Sequence, residues 1–250
     1  MRVTKPTRVD VDPPVSVIAW VLCGLLFVAT ALSFLDRQVL SVLAPSLTED
    51  LSMSNTDYSR VVSAFVFAYT LTFAAGGWLV DRLGTVRGLA IAVALWSLAS
   101  AGHALAAGAV GLGVARFVLG LGEGACFPAA TKGACEWFPP EKRGLAIGIA
   151  IGGSAFGAVL APPLTASLAA AFSWRGAFLA TGLIGTTWVL AWLVAGQFAH
   201  APLAPAKSDA SGARNAWREV FRAAVWPILL ARFCFDPVFY FYMFWIPQYL

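Results

Sequence analysis

The sequence predicts an all-α polytopic membrane protein: a six-helix bundle followed by the start of a second bundle at a seventh helix. Three observations predict it. The 250-residue chain is 59% hydrophobic and only 12% charged, where a soluble domain carries about 25% charged residues. Uncharged runs long enough to cross a bilayer, which takes about 20 residues, recur along most of its length. The basic residues fall almost entirely on alternate connections between those runs.

Residues 1–14 are a short polar tail ending in Pro13–Pro14. Val15–Leu35 is the first span. It is too long for the apolar region of a cleaved signal and lacks a small-residue cleavage site after it, so it reads as a retained helix. Val61–Val80 is the second. Gly88–Ala115 holds a third helix, a tight turn and the start of a fourth, which Phe117–Thr131 continues with Glu123 as its one charge. Gly144–Trp174 and Gly176–Ala199 are the fifth and sixth. Residues 15–199 therefore form one bundle, 200–222 a linker, and 223–250 a seventh helix interrupted by Arg232 and Asp236. The linker opens with Ala, Pro and Ser. Its Arg214, Arg218 and Arg222 then recur every four residues beside Trp217, Val220 and Phe221, which suits a short amphipathic helix on the membrane or an ordinary solvated one. Glycines 113, 120, 122 and 124 in the fourth helix, and 144, 148, 152, 153 and 157 in the fifth, predict close helix contacts. Pro128 and Pro162–Pro163 predict kinks.

Topology follows from charge. Arg2, Lys5 and Arg8, then Arg82 and Arg87, then Lys132, Lys142 and Arg143, then Lys207, Arg214, Arg218 and Arg222 share one side, against Arg60 and Arg175 on the other. By the positive-inside rule the amino terminus and the 200–222 linker are cytoplasmic, in a multi-pass protein of the cell's inner (plasma) membrane. The same bias explains the net charge of +4 without nucleic acid. Cys23, Cys126, Cys135 and Cys234 have no ligand spacing and read as small hydrophobes. His103 and His200 are isolated and read as structural or interfacial. No metal cluster, cofactor motif or nucleophile–base pair is visible, so neither a cofactor nor an enzymatic activity is expected.

Arg37, Arg116 and Arg232 stand inside apolar segments. Such a charge costs about 2.5–3.5 kcal/mol on insertion scales, and it persists where it pairs, lines a wet cavity or meets a charged ligand. Asp36 adjoins Arg37. Arg116 and Glu123, seven residues apart, project from nearly the same helix face, which makes Arg116 a charge partner for Glu123 in the fourth helix. A guanidinium holds a carboxylate by two parallel hydrogen bonds and stays charged at every relevant pH. The pattern points to transport of an anion.

The segment Gly77-Trp-Leu-Val-Asp81-Arg82-Leu-Gly84-Thr-Val-Arg87 resembles the loop between helices 2 and 3 of the major facilitator superfamily, with Val86 where a second basic residue is usual. Arg116-Phe-Val-Leu-Gly-Leu-Gly-Glu123-Gly-Ala-Cys-Phe-Pro128, Glu136-Trp-Phe-Pro139 and Trp174-Arg-Gly-Ala-Phe178 are similar to its anion:cation symporter branch, which holds hexuronate, galactonate and glucarate carriers. So is Asp236-Pro237 followed by Phe244-Trp-Ile-Pro-Gln-Tyr-Leu250.

The resemblance implies a twelve-helix fold of two halves, import of a sugar acid such as a hexuronate or aldonate, and coupling to protons. It implies Asp36 and Glu123 as proton-coupling groups and Arg37 and Tyr69 as substrate contacts. In the fifth helix Ile151 and Ala155 replace asparagines common in the branch, leaving Ser154 as a further substrate contact, and Cys126 replaces another after Glu123. The motif Gly77, Asp81, Arg82, Gly84 and Arg87 is implied as a cytoplasmic gate. Partners are then a small organic anion, protons, lipid and the missing C-terminal six-helix half, without which the chain is expected to be an incomplete carrier. A drug:proton antiporter or uniporter, and a non-transporting membrane sensor or remnant, are the other readings the sequence allows.

Overall fold

The computed structural model describes residues 15–199 and 226–248. The polar tail, the 200–222 linker with its amphipathic stretch, and Tyr249–Leu250 lie outside the described residues. Among those described, regular structure is entirely helical.

Helix α1 (Val17–Val42) is opened by Ser16, whose hydroxyl accepts from the Ala19 N–H at 3.2 Å, supplying one of the bonds a helix start lacks. It runs past the apolar limit at Leu35, so Asp36 and Arg37 sit inside a continuous helix. A short helix, α2 (Ala44–Asp50), follows; its Pro45 suits a first turn, where no N–H is needed. Helix α3 (Asn55–Leu83) starts from a reciprocal Ser54–Asp57 capping box. One residue, Gly84, separates it from α4 (Thr85–Gly102). Its φ of 78° lies in the left-handed region that glycine tolerates, which explains the glycine of that motif.

A 3-10 turn, His103–Leu105, leads to α5 (Ala109–Glu123), and the fourth span breaks at Gly124–Ala125 before resuming as α6 (Cys126–Trp137). Pro128 accounts for the break, because it has no N–H for the Gly124 carbonyl and its ring crowds that oxygen. The 57-residue run α7 (Pro140–Gly196) holds both the fifth and sixth spans, joined at Ser173, which has non-helical dihedrals of 61° and 176°. The chain reverses there. Ala158 lies against Gln38, while Trp188, thirty residues on, lies against Leu25 further back along α1. The expected kink at Pro162–Pro163 does not appear in the dihedrals, where Ser173 is the one exception. The Ala158 carbonyl that Pro162 leaves without its helical donor receives the Gln38 side-chain amide at 3.2 Å. Helix α8 (Trp226–Trp245) is the seventh span and ends in a 3-10 turn, Ile246–Gln248.

In lipid the apolar faces gain little from meeting one another, so close backbone packing holds the helices together. A Cβ at Gly153 or Gly157 would overlap the Phe27 or Ala31 carbonyl of α1. On α5, Gly120 approaches the Phe65 carbonyl of α3, and Gly124 just beyond the helix approaches that of Tyr69, while Gly122 faces Trp96 of α4. Glu123 is thus carried on a segment clamped from two sides.

Helix α8 is mostly exposed but attached at one end. The Tyr58 hydroxyl donates to the Phe244 carbonyl at 2.9 Å, and the Tyr58 and Trp245 rings meet edge to face at 5.4 Å. This attachment is at the end of the bundle carrying Glu49, Asp50 and Asp57. At the other end, which carries Arg82, Arg87, Lys142 and Arg143, α8 stands away and a cavity opens beneath it.

Candidate functional site

The cavity encloses about 770 Å³ between α8 and the bundle. Its wall is aromatic, with Phe34, Tyr69, Phe73, Phe127, Phe235, Phe239 and Tyr240. Arg37 and Ser154 line it, and Gly77, Asp81 and Lys132 line it towards the basic end. Arg232 and Asp236 line it from α8, paired with each other at 3.1 Å one turn apart.

Arg37 is buried, and its Nε donates to Glu123 Oε2 at 2.7 Å. Ser33, one turn earlier on α1, donates to the same oxygen at 2.9 Å and accepts from Arg37 Nη2 at 3.2 Å. The guanidinium carbon lies 4.7 Å from the Phe34 ring centroid, 4.3 Å from Tyr69 and 5.6 Å from Phe65. Aromatic faces attract the cation. Glu123 Oε1 is buried without a hydrogen-bond partner among the described residues.

Asp36 faces elsewhere, because consecutive helical residues point about 100° apart. Its carboxylate accepts from Ser100 at 2.9 Å, and Ser100 meets Thr181 at 2.9 Å. Arg116 donates from Nη2 to the Asp36 backbone carbonyl at 3.3 Å. The pairing expected between Arg116 and Glu123 is not the close one: Glu123 takes Arg37 across the helix interface. Seven residues separate Arg116 and Glu123 by roughly 10 Å along the axis, too far for direct contact without bending both side chains towards each other. The buried charges do not share the cavity. Of Asp36, Arg37, Arg116 and Glu123, Arg37 alone lines the cavity.

Tyr69 lines it and covers Arg37, and Ser154 points its hydroxyl back to the Ile151 carbonyl at 2.8 Å. At the basic end, Lys132 meets Asp81 at 2.7 Å and Glu136 at 3.7 Å, and donates to the Val80 carbonyl at 3.1 Å. Val80 is in the last turn of α3, where a cation is favoured. Thr85 closes the set with a 2.7 Å bond to Glu136. Arg82 lies over Trp78 and Arg87 is exposed. Val86, the departure from the motif, packs on Gly196 and offers its carbonyl to Trp192.

Sequence reasoning missed Ser33, Ser100, Thr181 and His103. A polar residue one turn from a buried charge was the signal for Ser33. For Lys132 and Glu136 the signal was their spacing of four.

The Major Facilitator Superfamily profile matches residues 26–250. The chain belongs to that superfamily. It is therefore a facilitator-type membrane protein and not an enzyme. It is 34% identical to the galacturonate transporter of Dickeya chrysanthemi, over 93% of this chain and 72% of that one. It is 32% identical to the hexuronate transporter of Escherichia coli strain K12, over 93% of this chain and 57% of that one. The D-galactonate transporter of Escherichia coli O6:H1 is 28% identical over 90% and 58%. The chain thus spans between just over half and three quarters of the length of these relatives. Among solved structures, a bacterial homologue of the human lysosomal transporter Spinster, inward-facing and unoccupied, aligns with a TM-score of 0.72 over 82% of this chain and 49% of that one. At 22% identity that likeness concerns the fold alone.

Proposed function

We propose that the protein is a proton-coupled importer of an organic monoacid of the sugar-acid class, such as a hexuronate or aldonate, working by alternating access in the cell's inner membrane. The observation that carries this reading is the Arg37–Glu123 pair at the edge of the cavity. Relatives named for hexuronate, galacturonate and galactonate transport support the substrate class.

The pair defines an exchange. With Glu123 ionised, Arg37 is occupied by it. A proton on Glu123 cancels the attraction and leaves Arg37 to take the carboxylate of the substrate. Substrate and proton then favour each other's binding. Asp36, held by neutral hydroxyls, is a second proton carrier. The stoichiometry matters because an anion entering a negative-inside cell climbs about 2.3 kcal/mol per 100 mV. One proton cancels that charge, and a second lets voltage drive uptake.

Placing the basic end in the cytoplasm, by the positive-inside rule, makes the cavity inward-open. The Tyr58–Phe244 contact is then the closed outer gate, and Asp81, Lys132 and Glu136 hold α3, α4 and α6 together beside the inner mouth. Carriers of this fold bind substrate between two six-helix halves, so a second half supplies the facing wall. The test uses the full-length gene product in proteoliposomes. Uptake of glucuronate or galactonate above equilibrium under an inward proton gradient is expected. Equal uptake with and without the gradient would reject symport, and no uptake with tight binding would favour a sensor.

A further inference from the structure

Behind α1, away from the cavity, a second polar cluster is buried in the bundle. It consists of Asp36 from α1, Ser100 from α4, His103 from the turn after it, Arg116 from α5 and Thr181 from α7, all at most 2% exposed. None lines the cavity. Arg116 is the costly member: a fully buried guanidinium whose Nη2 bonds one backbone carbonyl, while its Nε and Nη1 are buried with no hydrogen-bond partner among the described residues. A buried charge left in that condition is destabilising unless another acceptor is within reach.

His103 offers one. Its Nδ1 lies 2.7 Å from the Ala99 carbonyl, which accepts and cannot donate, so the hydrogen sits on Nδ1. In the neutral ring Nε2 is then the acceptor, and it too is buried without a partner. The imidazole is stacked on Phe178 at 4.6 Å, and the Arg116 guanidinium carbon lies 5.9 Å from the same ring. A cation with spare donors and a neutral ring with a spare acceptor thus lie against one aromatic side chain. The titratable and charged groups around them are Asp36 and Arg37 from α1, Tyr58 from α3 and Arg116 itself, with Glu123 further along α5; α4 contributes Ser100, and α7 contributes Phe178 and Thr181.

We propose that His103 is a positioning residue for Arg116: its Nε2 accepts a guanidinium N–H when Asp36 takes up a proton and ceases to be a counter-charge. The assignment rests on the proton-coupled reading above. It gives Arg116 a second place beside the Asp36 backbone carbonyl, so that proton uptake by Asp36 does not strand a buried cation. Without the second place, Arg116 favours ionised Asp36, and coupling demands a more acidic outside.

The test is His103→Asn in the full-length gene product. Asparagine can still donate to the Ala99 carbonyl but has nothing at the Nε2 position. The expected result is unchanged substrate counterflow, with the external pH for half-maximal proton-driven uptake moved about one unit to acid, the scale of one lost hydrogen bond to a charged group. His103→Gln, which can place a carbonyl oxygen near the Nε2 position, should recover at least part of the shift. A pH profile identical to wild type would overturn the assignment, as would parallel loss of counterflow and uptake, which marks a folding role. A wild type with no proton-driven uptake would overturn the parent reading and this one together. A coupled wild type with an unshifted His103→Asn overturns this one alone.

Discussion

Glu123 and Asp36 meet different faces of the same helix, and they are held by opposite means. Glu123 is ion-paired to Arg37 at 2.7 Å, beside a cavity that the arginine lines. Asp36 is the next residue to Arg37 in the chain, yet its carboxylate accepts from Ser100 in a cluster that does not reach the cavity. The difference teaches that two buried carboxylates need not share a task. One can compete with a substrate anion for the same guanidinium. The other can register only a proton, through hydroxyl groups and Arg116.

Removing Arg37 is the strongest way to break this comparison. Arg37→Ala leaves Glu123 buried without its partner, a loss of about 3–5 kcal/mol in comparable pairs. Binding of the acid by the full-length gene product, read by thermal shift, should fall more than about 100-fold. Ordinary affinity in that variant would remove Arg37 from the site.

The next largest effect concerns the helix that keeps the two faces apart. Gly153→Leu drives a side chain into the Phe27 carbonyl and should cost about 1–3 kcal/mol by overpacking. Its unfolding midpoint in detergent should drop, while Gly148→Ala, with nothing within 4 Å of the added carbon, should match wild type. Equal midpoints for the two variants would show that the α1–α7 contact is not what fixes the register.

Neutralising the carboxylates one at a time sharpens the contrast. Glu123→Gln should tighten binding of the acid several-fold, because Arg37 loses its internal competitor. Asp36→Asn should leave affinity within about twofold, the scale of a change that forms and breaks no substrate contact. Glu123→Gln should lose proton-driven accumulation while retaining exchange, whereas Asp36→Asn should keep accumulation under a proton gradient and lose only its dependence on voltage. Matching affinity changes in the two variants would mean that the two faces of α1 are not separate.

The smallest effect belongs to Ser154→Ala. Its hydroxyl lines the cavity but is already bonded to Ile151, so a substrate contact there is worth about 1 kcal/mol, or roughly fivefold in affinity. Unchanged affinity would take Ser154 out of the binding set.

The sequence by itself determined the all-α membrane class and which charges stand inside apolar spans. These follow from local rules: apolar run length and the cost of a charge in lipid. The break in the fourth span was legible in Pro128, since a missing N–H acts on the carbonyl four residues back. Only the tertiary structure decided which charges meet. Asp36 and Arg37 are neighbours in sequence but diverge around the helix, while Arg37 and Glu123 are 86 residues apart and touch. The glycines that let α1 and α7, and α5 with α3, approach to backbone contact set those distances. The role of His103 was hidden for the same reason: a lone histidine at a helix end gains partners only when α5 and α7 close over it.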